Sequence, residues 1–190
     1  MRLRTIVAVF AMTLLTAAWS SAKDSSDDKR EKIRKMAAQT LEELYKIHPA
    51  ARPAIQKSAG YAVFSNTGVN VLLLSTERGG GMAVNSNTKQ ETFMKMVSVG
   101  AGPGVGVKGF RVIFVFETEA ALSQFVNSGW EGKGQVDAAA KAGDTGGAYS
   151  GATALGPGVW IYQITKNGLA LQATLQGTKY YKDDDLNKRS

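Results

Sequence analysis

Between Gly158 and Tyr180 the chain reads GVWIYQITKNGLALQATLQGTKY, two β-prone runs joined by Asn167-Gly168. A two-residue type I′ turn needs φ > 0 at both central positions, and Asn-Gly meets that need at little steric cost. With the turn centred there, Ile164 falls opposite Leu171, Tyr162 opposite Ala173 and Trp160 opposite Leu175 on one face. On the other face Gln163 opposes Gln172 and Ile161 opposes Thr174. A one-residue slip would exchange the faces and bury the glutamines, so the register is well specified. The last third of the chain is therefore committed to a β-hairpin, and its edges must find partners among the earlier segments.

Those earlier segments supply strands. Tyr61 to Ser65 and Val69 to Ser75 are β-rich, with Asn66-Thr67-Gly68 between them as a turn. Met82 to Val84 comes after a glycine triplet, Asn85 to Lys89 is a turn, and Thr92 to Val99 is the next strand. Val105 to Val107 and Phe110 to Phe116 continue the series. A helix then starts at Thr118 as N-cap, buries Ala121, Leu122, Phe125 and Val126, and stops at Gly129. Asp137 to Leu155 is rich in Ala and Gly and fits either strands or a loop. Strands in series with helices kept to the ends indicate an α+β fold, with an antiparallel, closed, barrel-like sheet, an N-terminal amphipathic helix and one or two further helices.

Residues 1–22 carry the features of a secretory signal peptide: Arg2 and Arg4, an apolar run from Ile6 to Trp19, then Ser20-Ser21-Ala22. Cleavage after Ala22 gives an exported chain starting at Lys23, periplasmic or secreted, or peripheral on a membrane. No cysteine occurs anywhere, which removes disulfides, thiolate metal sites and a lipoprotein anchor. The mature chain reads as one domain, a helical arm over 23–58 joined to a β-rich body over 59–190.

The net charge of +7 is unevenly spread. The body is close to neutral, whereas Lys29, Arg30, Lys32, Arg34 and Lys35 crowd seven positions interrupted only by Glu31 and Ile33. Within this arm Ile33, Met36, Ala37, Thr40, Leu41, Leu44 and Ile47 recur at helical spacing. Ser26 or Asp27 is placed to cap the helix, His48-Pro49 to end it, and Arg52 to Ser58 to form a short second helix. The stripe admits two uses: covering the β body, as most amphipathic helices do, or lying on an anionic membrane.

Other chemistries lack their parts. Gly100 to Gly109 is glycine-rich, but strand-like residues come after it, Pro103 breaks the spacing and Lys108 precedes Gly109 where a P-loop needs Ser or Thr. No nucleotide is expected. Lys179 to Asp185 lacks the alternating ligands and central glycine of a calcium loop, so it reads as a solvated C-terminal edge and no metal is expected. His48 is the single histidine, and no serine sits in a nucleophile elbow. The chain reads as a non-enzyme without cofactor. A neutral body and an export signal argue against nucleic acid as a partner.

Three stretches, SAGYAVF, MVSVGAGPGVGVKGFRVIFVFETEAALSQFVNSGW and YQITKNGLALQATLQGTKYYKDDDLN, together resemble the SYLF domain family from Ala59 to Asn187. Family members bind phospholipids. The eukaryotic ones accompany actin-regulatory modules and use a basic N-terminal helix at membranes, while bacterial ones are exported single-domain proteins, many described as actin-regulator (YSC84-related) homologues. This chain is similar to the bacterial kind. The resemblance implies non-catalytic adsorption to anionic phospholipid, with Lys29, Arg30, Lys32, Arg34 and Lys35 at headgroups and Ile33, Met36 or Leu41 inserting or packing. Lys179, Tyr180, Tyr181 and Lys182 form a second expected patch, since aromatic rings suit the headgroup level. The alternative is a structural or protein-interaction module of the envelope, docking a protein partner through the arm.

Overall fold

The computed structural model describes residues 4–71, 74–100, 111–132, 149–165, 168–170 and 178–188. Helix α1 (Arg4–Ile47) runs unbroken to the His48-Pro49 stop, and α2 (Ala51–Lys57) comes next. Strands β1 (Gly60–Val71), β2 (Leu74–Asn85), β3 (Glu91–Gly100) and β4 (Arg111–Phe116) precede α3 (Glu119–Ser128). Then come β5 (Trp130–Glu131), β6 (Thr153–Gly156), β7 (Val159–Thr165), β8 (Gly168–Ala170), β9 (Thr178–Lys182) and α4 (Asp184–Asn187). The strands form one antiparallel sheet in the order β5-β9-β3-β2-β1-β4-β7-β6, with β8 also on β7. The sheet curls into a half-barrel, so the α+β class with an N-terminal helix is the one observed. Among the described residues no helix is long and apolar enough to cross a membrane.

Both faces of the sheet are covered, which is why Val112 to Phe116 in β4 is buried at every position. On one face Phe64, Phe114, Phe116 and Tyr180 pack with Phe125 and Leu122 of α3. Phe114 meets Phe64, Phe125 and Tyr180 with ring centroids 4.9–5.9 Å apart, in edge-to-face or tilted contacts suited to aromatic quadrupoles. On the other face Ala37, Thr40 and Leu44 of α1 are buried, and Leu44 packs with Val63, Ile113, Tyr162 and Ile164. Ile33, Met36 and Leu41 flank that layer, half-buried. From Ile33 to Leu44 the amphipathic stripe is spent on the sheet, and Ile47 at its end stays exposed.

Local signals held where nothing competed with them. The Thr118 hydroxyl accepts from the Ala121 amide at 3.2 Å and caps α3, and Gly129 ends it with φ of +73°. The Asn85 side chain accepts from the amides of Asn87 and Thr88, closing the expected turn.

Elsewhere tertiary pairing overrode them. Asn66-Thr67-Gly68 is no turn, because β2 pairs across it without a break: Asn66 with Gly79, Thr67 with Arg78, Gly68 with Glu77. Ser26 and Asp27 do not cap α1, which passes through both, and Asp27 instead pairs with Arg30 one turn on. The solvated edge expected at 179–185 is β9, hydrogen-bonded between β5 and β3, with α4 directly after it.

The closing hairpin has the expected faces in a different register. Thr165 pairs with Gly168 and Ile164 with Leu169, so two residues, 166 and 167, separate the strands, one position earlier than expected. Centring the turn one residue earlier shifts every partner by two, which preserves the alternation. Trp160 cannot face Leu175, because Val115 of β4 and Ala154 of β6 hold its two sides. The other expected partners, Leu171 to Thr174, lie outside the described residues, as do Val105 to Val107 and most of Asp137 to Leu155.

Candidate functional site

Strand pairing places Gly80, Lys95 and Tyr181 side by side across β2, β3 and β9. Side chains alternate between faces along a strand, so this row points to α1 while the adjacent row of Gly79, Met96 and Tyr180 points to α3. A Cβ built on Gly80 would meet Ile33 of α1 at 3.8 Å, which fixes the direction. Between the row and the helix lies a cavity of about 660 Å³. Ile33, Val97 and Leu186 are among its apolar lining residues, and Lys29 and Lys32 line it as well.

The end of this cavity is built by α4. Asp183 caps that helix by accepting from the amides of Asp185 and Leu186 at 3.1 and 3.2 Å. The same carboxylate holds the Lys95 ammonium at 3.0 Å, and that hydrogen bond is the main reason the Lys95 pKa is raised. Asn187 ties α4 to β3, its side chain donating to the Phe93 carbonyl at 2.7 Å and accepting from the Phe93 amide at 3.0 Å. Lys188 donates to Asp185 and, ahead of its charge alone, lowers that carboxyl's pKa.

The expected site residues separate into roles. Arg30 donates to the carbonyls of Leu186 at 2.9 Å and Lys188 at 3.1 Å, so it clasps the end of α4, where carbonyls lack helical partners. Arg34 bonds Glu91 at 2.8 Å and lies 5.3 Å over the Phe93 ring. Both guanidiniums serve the docking of α1. Lys29, Lys32 and Lys35 are exposed and make no ion pair among the described residues. Recurring every third position, they share one side of the helix.

The expected second patch divides by alternation. Tyr180 is fully buried in the aromatic cluster and cannot meet a headgroup, which corrects its assignment. Tyr181 lines the cavity together with Lys29 and Lys32. Lys182 lines a separate polar cleft of about 1000 Å³ with Asp27, Arg30 and Glu91, and Lys179 is exposed on β9 opposite Glu131. Tyr181 alone of the second patch thus lines the same cavity as Lys29 and Lys32. Lys95 and Gly80 were missed. Their signals were a lysine within the apolar run of β3 and a glycine triplet inside a strand, which marks close approach.

This chain belongs to the SYLF domain family. Residues 97–190 match the family described as Las17-binding protein actin regulator, Ysc84. Beta cell expansion factor A of Aeromonas veronii is 35% identical over 168 residues, covering 87% of this chain. The chain spans about 62% of that relative's length. The family consists of non-enzymatic binding domains.

Proposed function

We propose that this protein is a non-catalytic phospholipid-binding protein of the bacterial envelope, which adsorbs to anionic membrane surfaces through the exposed lysines of α1. The observation that carries this reading is the division of labour on that helix. Its apolar stripe packs on the sheet, while Lys29, Lys32 and Lys35 stay exposed on one side, without an ion pair among the described residues. Adsorption is therefore electrostatic, with the helix docked and no apolar face inserted. Each lysine near an anionic leaflet contributes about 1 kcal/mol, so three give about 3 kcal/mol, or roughly a hundredfold in partitioning. Screening over about 8–10 Å at ordinary ionic strength makes the effect salt-sensitive.

Flotation with liposomes tests this. The triple variant Lys29→Gln, Lys32→Gln, Lys35→Gln spares the two structural arginines and should keep its fold. Its partition onto anionic vesicles should fall by one to two orders of magnitude and lose most of its salt dependence, with neutral vesicles binding neither form. Unchanged flotation of the folded variant refutes adsorption through this face. Export is part of the same proposal, and N-terminal sequencing of the exported form should find Lys23 first. An intact Met1 in that form would overturn it.

A further inference from the structure

Adjacent glycines in β2 differ in what they are for. A Cβ on Gly81 would lie 2.1 Å from the Val63 carbonyl oxygen, so packing demands glycine there. Among the described residues a Cβ on Gly80 would meet only Ile33, at 3.8 and 3.9 Å, an ordinary contact. Gly80 is also outside the set of positive-φ residues, so its backbone does not ask for glycine. Glycine weakens a strand interior and is kept there when something must come close to the backbone. At Gly80 the side chain facing it is Ile33 of α1, and the missing side chain leaves room in the cavity between β2 and the helix.

Its chemistry describes an occupant. The volume falls within the roughly 300–1,000 Å³ typical of small-molecule sites. Ile33, Val97, Leu186 and the ring of Tyr181 give an apolar lining to a groove that stays open to solvent along one side, against which a hydrocarbon chain can lie. Three ammonium groups, Lys29, Lys32 and Lys95, oppose a single lining carboxylate, Asp183, whose neighbour Asp185 lies 4.0 Å from Lys95. Positive charge remains in excess on the lining, and it is gathered beside the apolar surface. A cationic or purely apolar guest would leave that excess without a counter-charge.

We infer that this cavity binds one molecule of a single-chain anionic amphiphile, its hydrocarbon chain along the Gly80–Tyr181 trough and its head at Lys29 and Lys32. This goes beyond adsorption to a surface, because it is stoichiometric binding of a monomer. It shares Lys29 and Lys32 with that reading, whereas Gly80, on the sheet, belongs to the cavity alone.

The test is calorimetric titration of the full chain with dodecanoate and with a lysophosphatidylglycerol of equal chain length, both below their micelle concentrations. Dodecyltrimethylammonium and dodecyl maltoside are the controls. One-to-one saturable binding of either anion, at least tenfold tighter than both controls, is expected. Dodecanoate alone binding identifies a fatty-acid carboxylate, and the lysophospholipid alone identifies a phosphate head. Gly80→Leu fills the trough and should weaken binding at least tenfold, with circular dichroism unchanged and flotation on anionic vesicles within twofold of the parent. Should leucine impair folding, Gly80→Ala supplies a graded filler and should weaken binding about threefold. Lys29→Gln with Lys32→Gln should weaken the anions and leave the neutral control unaffected. Failure of both anions to saturate, equal binding of the cationic amphiphile, or parental affinity in a folded Gly80 variant would overturn the inference. Adsorption can persist while cavity binding fails, and the reverse, so the two readings fall separately.

Discussion

Truncating Leu44 to alanine probes whether the basic arm is a working part of the fold. Leu44 has 0% exposure and sits where α1 crosses the second core layer, against Val63, Ile113 and Tyr162. Removing three carbons at such a site forfeits their burial and leaves a cavity that the surrounding sheet closes only partly. Leu→Ala at fully buried positions costs about 2–5 kcal/mol. A sheet layer held by hydrogen bonds collapses little, so we expect about 3 kcal/mol. For a chain of this size each kcal/mol lowers Tm by about 2–4 °C, giving a drop of about 6–12 °C. Ile47 is 44% exposed at the end of the same helix and serves as the control, since Ile47→Ala should change stability by less than about 1 kcal/mol. Thermal and urea melts of both variants measure this, and an unchanged m-value would show that the folded and unfolded states are otherwise alike. A Tm shift under about 2 °C for Leu44→Ala would refute the reasoning. It would mean that the stripe is free of the sheet and available to insert into a bilayer.

Two further expectations concern the closing hairpin and a buried phenol. Gly168 has φ of +104° with no atom of the described residues within 4 Å of its missing Cβ, so Gly168→Val should cost about 1–3 kcal/mol through backbone strain; unchanged urea stability would refute this. Burial raises the Tyr162 pKa to about 12, and its hydroxyl has no hydrogen-bond partner among the described residues. The unfolded phenol ionises near pH 10 while the folded one stays neutral, so this contribution is full below about pH 10 and is lost as pH rises from 10 through 12. Burial also raises the phenols of Tyr45, Tyr61 and Tyr149, so urea midpoints across that range should fall in the parent and fall less steeply in Tyr162→Phe; equal slopes in the two proteins would exclude Tyr162 as a source.

How much could be read from the sequence depends on how far apart the determinants lie. The α3 cap at Thr118, its stop at Gly129 and the stripe of α1 are set by residues within a few positions of one another, and they were legible. The hairpin's faces were legible by alternation, but its register was not. β6 occupies the edge of β7 beside Trp160, and nothing local announces that strand order. The cavity was least legible because β9 lies beside β3, more than eighty positions earlier in the chain, and no spacing rule joins Lys95 to Tyr181. The tyrosine pair did hold an unused clue. Adjacent residues in a strand face opposite sides, so with both faces of the sheet covered, Tyr180 and Tyr181 had to go to different layers.

The two-sided sheet also decides how the arm can touch a membrane. If α1 left the sheet to insert its stripe, Ile33, Met36, Leu41 and Leu44 would regain burial in lipid. Val63, Ile113, Tyr162 and Ile164 beneath them would meet water instead. Each large apolar side chain exposed costs about 1.5–3 kcal/mol, so baring four costs on the order of 6–12 kcal/mol, comparable to the whole stability of an ordinary domain. The headgroup attraction of three lysines, about 3 kcal/mol, cannot offset that. The Arg30 clasp on α4 and the Arg34 contacts with Glu91 and Phe93 oppose peeling from the basic end as well. Binding with the helix docked is therefore the lower-energy course: the lysines face the anion, and the apolar surface that a lipid chain can reach without unfolding anything is the trough over Gly80.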